Sequence, residues 1–194
     1  MAEWLKSVLP AGTPMHDGLA IARVGSERAT GRGGLALSSA AFRSGEELDP
    51  CFTADEEDAV APPLEWTAPP TGAQEIAIVV EDASTEGPTC HWLVWGLPGQ
   101  KGMLLEGEVP PRVGKNSAGN SEWLLPALPK DGPPHTFVFQ IFALDLPLTL
   151  MPGATRDQLI GEMDGHVIAA AVLTATYQAS DEEDGAWDED DDEF

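Results

Sequence analysis

Three polar side chains stand where the apolar face of a β-strand runs out: Asp82 after IAIVVE, His91 before WLVWGLP and His135 before TFVFQIFALD. Alternate residues of a strand share a face. Asp82 therefore continues the face of Ile76, Ile78 and Val80, and His135 shares that of Phe137, Phe139 and Ile141. The same count aligns His91 with Leu93, Trp95 and Leu97. A buried imidazole needs a hydrogen-bond partner and changes charge near neutral pH. A carboxylate beside such a ring fixes the nitrogen that carries the proton and turns the other toward a ligand. If the three strand ends converge at one end of a sandwich, they would line a pocket, two imidazoles with a carboxylate among them.

Other chemistries are poorly supplied. Asp82, Ser84 and His91 are the residue types of a hydrolase triad, but there is no GxSxG elbow to expose a nucleophile. Cys90 adjoins His91, yet neighbours in a strand point to opposite faces and would not meet as a dyad. His16, His91, His135 and His166 show no HExxH or comparable ligand spacing, so no metal is expected. GRGGLAL lacks the lysine and helix of a phosphate loop. The reading is of a protein that is not an enzyme and needs no cofactor.

Charge excludes another class. The 194 residues hold 33 Asp and Glu against 10 Lys and Arg, a formal net charge of −23. Ten of those acids fall in the last fourteen residues, and the remaining 23 still outnumber the bases. Nucleic acid needs a basic surface, so it is not an expected partner. The acidic end, residues 179–194, is expected to be a disordered tail because like charges with little apolar content cannot offset ordering entropy. It would serve solubility, or dock a basic partner with Trp187 and Phe194 as anchors. No apolar run approaches a membrane span, and MAEWLKSVLPAG lacks the charged and long apolar regions of a secretory signal, so a cytoplasmic location is expected. Cys51 and Cys90 are far apart and form no CxxC pair, which suits reduced, buried thiols.

The elements that must position the three residues follow from the punctuation. Residues 1–34 read as an N-terminal extension with short helices at Trp4–Leu9 and Leu19–Val24, ending in a Gly-rich joint. From Leu35, short apolar runs separated by Pro, Gly and Asp predict an all-β domain over residues 35–178. Its strands are expected at Leu35–Phe42, Leu64–Thr67, Ile76–Asp82, His91–Leu97, Phe137–Asp145 and Val167–Tyr177. One helix is predicted before the last strand, capped by Thr155, filling Arg156–Met163 and ended by Gly165.

Four ordered blocks carry a resemblance: FRSGEELDPCFTADEEDAVAPPLEW, AIVVEDASTEGPTCHWLVWGLP, GKNSAGNSEWLLPALPKDGPPHTFVFQIFALD and GATRDQLIGEMDGHVIAAAVLTATYQ. Together they resemble the phosphatidylethanolamine-binding protein family, in its bacterial Raf-kinase-inhibitor-like branch. The resemblance implies a mainly β fold: a sandwich of two antiparallel sheets with a Greek-key element and a short helix near the C-terminus. It also implies an anion cavity at one end that holds phosphate, acetate or a phospholipid headgroup. The family's DPDAP motif falls on Asp82-Ala83-Ser84-Thr85-Glu86, keeping the first Asp and replacing the second by Ser84. Its strand-leading histidine matches His91. In its proline-rich loop Pro129 and Pro134 hold their places, His135 matches the second pocket histidine, and Thr136-Phe137 replace Arg-Tyr. The ligand-binding set so implied is Asp82, His91, Pro129, His135 and Phe137, in a binding module for a small anion or phosphorylated ligand. The alternative is a protein-interaction regulator of a kinase or protease with a degenerate pocket, and a homodimer is compatible with either.

Overall fold

The computed structural model describes residues 3–14 and 16–179; the acidic stretch from 180 onward lies outside the described residues. Among the described residues seven strands form two antiparallel sheets. The smaller has the order β1-β2-β5, built from Leu37–Ser38, Leu64–Trp66 and Gly102–Leu104. The larger has the order β4-β3-β6-β7, from Thr89–Pro98, Glu75–Asp82, His135–Leu144 and Val167–Tyr177. Leu37, Leu64, Trp66 and Leu104 of the small sheet meet Ile76, Ile78, Val80, Phe137, Phe139 and Ile141 of the large one in a single buried cluster. This is the expected two-sheet sandwich.

Two strands depart from the sequence expectation. The first is shorter than Leu35–Phe42, because the Ser39 hydroxyl donates to the Pro63 carbonyl and accepts the Ala41 N–H, turning the chain away after two residues. The second, β5, is not expected at all. Its three residues hold a glycine and no alternation, and it exists because β2 offers it a pairing edge.

The large sheet is buried on both sides; every residue of β3 is buried. A sheet with two apolar faces needs two covers. The second cover is the leading segment. Helices α1 (Leu5–Val8) and α2 (Ala20–Val24) lie with α3 (Arg156–Met163) on Ala77, Val79, Leu93, Trp95, Val138 and Phe142, and Leu5, Leu19 and Ile21 are fully buried there. The N-terminal segment, read from sequence as an appendage, is thus a layer of the fold. It also guards an edge: the Gly31 N–H donates to Ala170, and the Ala170 N–H to Ala29, along the free side of β7. Helix α3 begins at a capping box in which Thr155 accepts the Gln158 N–H and the Gln158 side chain accepts the Thr155 N–H.

Polar side chains pin this outer layer. Glu81, fully buried, accepts from the Ala20 N–H at 2.8 Å, the Gln140 amide at 2.7 Å and the Arg156 guanidinium. Gln140 in turn accepts the Ile21 N–H at 2.6 Å, and Arg156 donates to the Gly18 carbonyl. The first N–H groups of α2, which a helix start leaves orphaned, are satisfied by the sheet.

Candidate functional site

β3 and β6 are antiparallel neighbours, so the end of one lies beside the start of the other; Asp82 pairs with Phe137. The two ends are stitched together. The Ala83 N–H donates to the Thr136 carbonyl at 2.9 Å, and the Thr136 N–H donates to the Ser84 hydroxyl at 2.8 Å. Asp82 is 3% exposed; one carboxylate oxygen accepts the Ser84 N–H at 2.8 Å, and the other lies 2.6 Å from Nδ1 of His135. A carboxylate can only accept, so Nδ1 of His135 carries a proton and its Nε2 faces away from Asp82.

His91 reaches the same side by an irregularity. Val80 pairs with Trp92 and Glu81 with Cys90, so His91 is an extra residue opposite the β3 ladder, a β-bulge. A second bulge lies near Gly96, whose φ of +74° only glycine adopts readily. Between the two, Leu93 and Trp95 belong to the outer layer and Trp92 and Val94 to the sandwich core; beyond the second, Leu97 joins the sandwich core. The sequence count that grouped His91 and Leu97 with Leu93 and Trp95 is corrected at both ends, because each bulge resets the alternation.

The His91 ring is held by one residue in two ways. The segment 112–124 runs along the edge of β4, and there the Leu124 N–H donates to the His91 carbonyl at 2.9 Å while Nδ1 of His91 lies 2.6 Å from the Leu124 carbonyl. A carbonyl cannot donate, so Nδ1 is the protonated nitrogen and Nε2 of the neutral ring keeps its lone pair. Among the described residues Nε2 has no hydrogen-bond partner. Phe137 meets the ring edge-on, with centroids 5.0 Å apart, and Trp123 lies at 6.1 Å. Burial pushes the His91 pKa below its ordinary value; the Leu124 bond and the Asp82 charge oppose this, and His135 adds to it.

Asp82, His91, His135 and Phe137 thus form one cluster. Pro129 is exposed, its carbonyl accepting the Gly132 N–H at 2.9 Å in the turn that leads toward His135, and it takes part in none of the cluster's hydrogen bonds or ring contacts. Ser84 binds the backbone of Thr136 and neither imidazole, which is not the geometry of a triad. Cys90 lies in the outer layer, and burial with the Glu81 charge pushes its thiol up to about 12, so it is not a thiolate partner for His91.

Three contributors escape a reading of side-chain types. Leu124 acts through its carbonyl and Trp123 through its ring. Tyr177, 6.5 Å from Phe137, donates its hydroxyl to Asp55 at 3.0 Å, its pKa pushed up to about 12 by burial and by that carboxylate. Only Trp123, an aromatic in a loop of small polar residues, leaves a trace in the sequence.

Chemically the cluster presents one ring that accepts through Nε2 and one whose Nε2 accepts when neutral and donates when protonated. Among the described residues no lysine or arginine pairs with Asp82 or His135, and no group of three or more His, Cys, Asp or Glu could hold a metal ion. Nor is any helix there long and apolar enough to cross a membrane.

Comparison with known proteins covers the two sheets and the site. The sequence pattern of the family described as "Phosphatidylethanolamine-binding protein" matches residues 38–178. A UPF0098 protein of Chlamydia trachomatis is 32% identical over 151 residues, spanning 74% of this chain and 99% of the relative. The crystal structure of a phosphatidylethanolamine-binding protein homolog from the same organism superposes with a TM-score of 0.69 at 31% identity, covering 75% of this chain and 98% of the other. Escherichia coli YbcL shares the fold at 21% identity, with a TM-score of 0.68 over 75% of this chain and 99% of its own. By sequence pattern and by architecture, the chain belongs to the phosphatidylethanolamine-binding protein family.

Proposed function

We propose that the protein is a non-catalytic binding module that holds a small anion or phosphorylated ligand between Asp82, His91 and His135. The observation that carries the reading is the Asp82–His135 contact of 2.6 Å, which turns Nε2 of His135 away from the carboxylate, beside a His91 whose own Nε2 is uncommitted. A monohydrogen phosphate or phosphate monoester suits this pair. Its P–OH donates to Nε2 of His91, and an anionic oxygen accepts from protonated His135. Phe137, where the family has a tyrosine, is fully buried against the His91 ring and has no hydroxyl to add a hydrogen bond. Binding takes place in the cytoplasm in this reading.

Calorimetry with methyl phosphate and with sulfate from pH 5 to 8 tests it on the wild type, His91→Ala, His135→Ala and Asp82→Asn. Both anions are expected to lose affinity in His135→Ala and in Asp82→Asn. Only methyl phosphate, which can carry a proton at the lower end of the range, is expected to lose in His91→Ala. Equal binding by all four proteins, or by none, refutes the reading and favours an interaction protein whose histidines are structural.

A further inference from the structure

The segment that holds His91 has a second face. On it lies an open cavity of about 450 Å³, floored by Trp92, Trp123, Val60, Val113 and Leu125. Trp123 is fixed in place: its indole N–H donates to the Phe52 carbonyl at 3.1 Å, and its ring stacks on Phe139 and packs edge-on to Trp92. Val109, on the rim, is 84% exposed, and Leu105 close by in sequence is 63% exposed. Large aliphatic side chains held in water around a rigid aromatic floor mark a surface that another molecule covers.

Charge says what kind of molecule. Glu108 and Glu122 line the groove; Glu56, Glu57 and Asp58 precede its Ala59, and Glu106 precedes its Gly107. All of these carboxylates are exposed, and among the described residues no lysine or arginine lines the groove; Arg112, which precedes its Val113, is engaged elsewhere, donating to the Leu148 carbonyl at 3.2 Å. An apolar floor inside an acidic rim complements a partner that carries apolar side chains between basic ones, and repels an acidic one, including this chain's own C-terminal stretch. We propose that the groove beside Trp92 and Trp123 docks a basic, apolar peptide segment of a partner protein. The segment's apolar side chains fill the floor, and its lysines or arginines face Glu108, Glu122 and the 56–58 run.

The proposal is independent of the anion reading, since it uses none of Asp82, His91 or His135. The test is calorimetry with the acetylated, amidated peptide KKLFKLK and two controls, KKAAKAK and EELFELE. The first is expected to bind and both controls to fail. Glu122 has an exposed side chain that makes no hydrogen bond among the described residues, so Glu122→Lys should fold normally and weaken peptide binding about 5-fold or more, as expected for a charge at the rim of a docking site. Val60→Trp, which fills the floor, should weaken it about 10-fold, in keeping with a buried anchor. Glu162→Lys, the same charge change on α3 in the outer layer, should cost less than about 2-fold once ordinary salt screens it.

Five results overturn the proposal. KKAAKAK binding as tightly as KKLFKLK, or Glu162→Lys weakening binding as much as Glu122→Lys, would mean diffuse attraction. Phenethylammonium binding as tightly as the peptide would make the groove a small-molecule site. Self-association that Glu122→Lys abolishes would make the occupant a second copy. Absence of any binding by KKLFKLK rejects the docking chemistry outright.

Discussion

Both faces of the large sheet end in buried polar residues, and they are finished differently. On the outer face Glu81 is met by the Ala20 N–H, the Gln140 amide and the Arg156 guanidinium, and Gln140 by the Ile21 N–H. On the inner face the next residue, Asp82, is met by Ser84 and His135, and His91 by Leu124, but Nε2 of His91 keeps its lone pair. The outer network is closed by the chain itself, whereas the inner one stops short. Buried polar groups are expensive unless satisfied, so a closed network reads as a structural lock. Capacity left over beside a closed lock reads as a place for a ligand. One residue step along β3 separates the two outcomes.

The sharpest way to break the comparison is to remove the outer cover. Deleting residues 1–24 takes away Leu5, Leu9, Leu19 and Ile21 and bares Val79, Leu93, Trp95 and Phe142. At about 1.5–3 kcal/mol for each large apolar side chain returned to water, the loss is on the order of the whole stability of a domain. The truncated chain is expected to be insoluble or to unfold without cooperativity in urea. A truncated protein with the full-length midpoint would show that the outer face needs no cover and that the Glu81 network is ornamental.

Next comes the lock itself. Arg156→Met leaves the fully buried Glu81 carboxylate without its cation and should destabilise the protein by about 3–5 kcal/mol. Adding Glu81→Gln to Arg156→Met should recover part of that loss, because the uncompensated charge goes with it. Urea denaturation of the two variants decides this. Loss of less than about 1 kcal/mol in Arg156→Met, the range of surface ion pairs, would mean that the pair is not a lock.

The contrast between the faces also sets what could be read from the sequence. Strand parity placed Asp82 and His135 on the face they occupy, because β6 is regular and β3 pairs with it without a slip. The same parity misplaced His91, since nothing in TCHWLVWG announces that His91 is a bulge; the β3 ladder decides that. The helix over Arg156–Met163 was legible through its cap and closing glycine. The role of α1 and α2 was not, because four- and five-residue helices are too short to show a face, and the sheet side chains that bond α2 are about 60 to 120 residues away in sequence. Glu81 and Gln140 were hidden for the same reason: an isolated polar residue in an apolar strand gives no hint of a partner so distant. Leu124 was hidden because it works through its backbone.

The last and smallest effect separates the faces by pH. Burial holds the His91 pKa below its ordinary value, so the folded protein resists a proton that the unfolded chain accepts. Between the ordinary histidine pKa, about 6.5, and the lower folded value, the unfolded state binds more protons, and stability falls as pH falls. The contribution of neutral His91 is fully present above the ordinary value and is lost as pH drops through the window below it. One group can give this limb a slope of at most about 1.4 kcal/mol per pH unit. His91→Asn keeps a side-chain N–H for the Leu124 carbonyl and removes the titration, so its stability should vary less between pH 7 and 5 than that of the wild type. Urea midpoints across that range measure the difference. Acid loss from carboxylates is common to both proteins and cancels, so identical pH profiles would mean that the His91 ring charges as readily in the fold as in the unfolded chain.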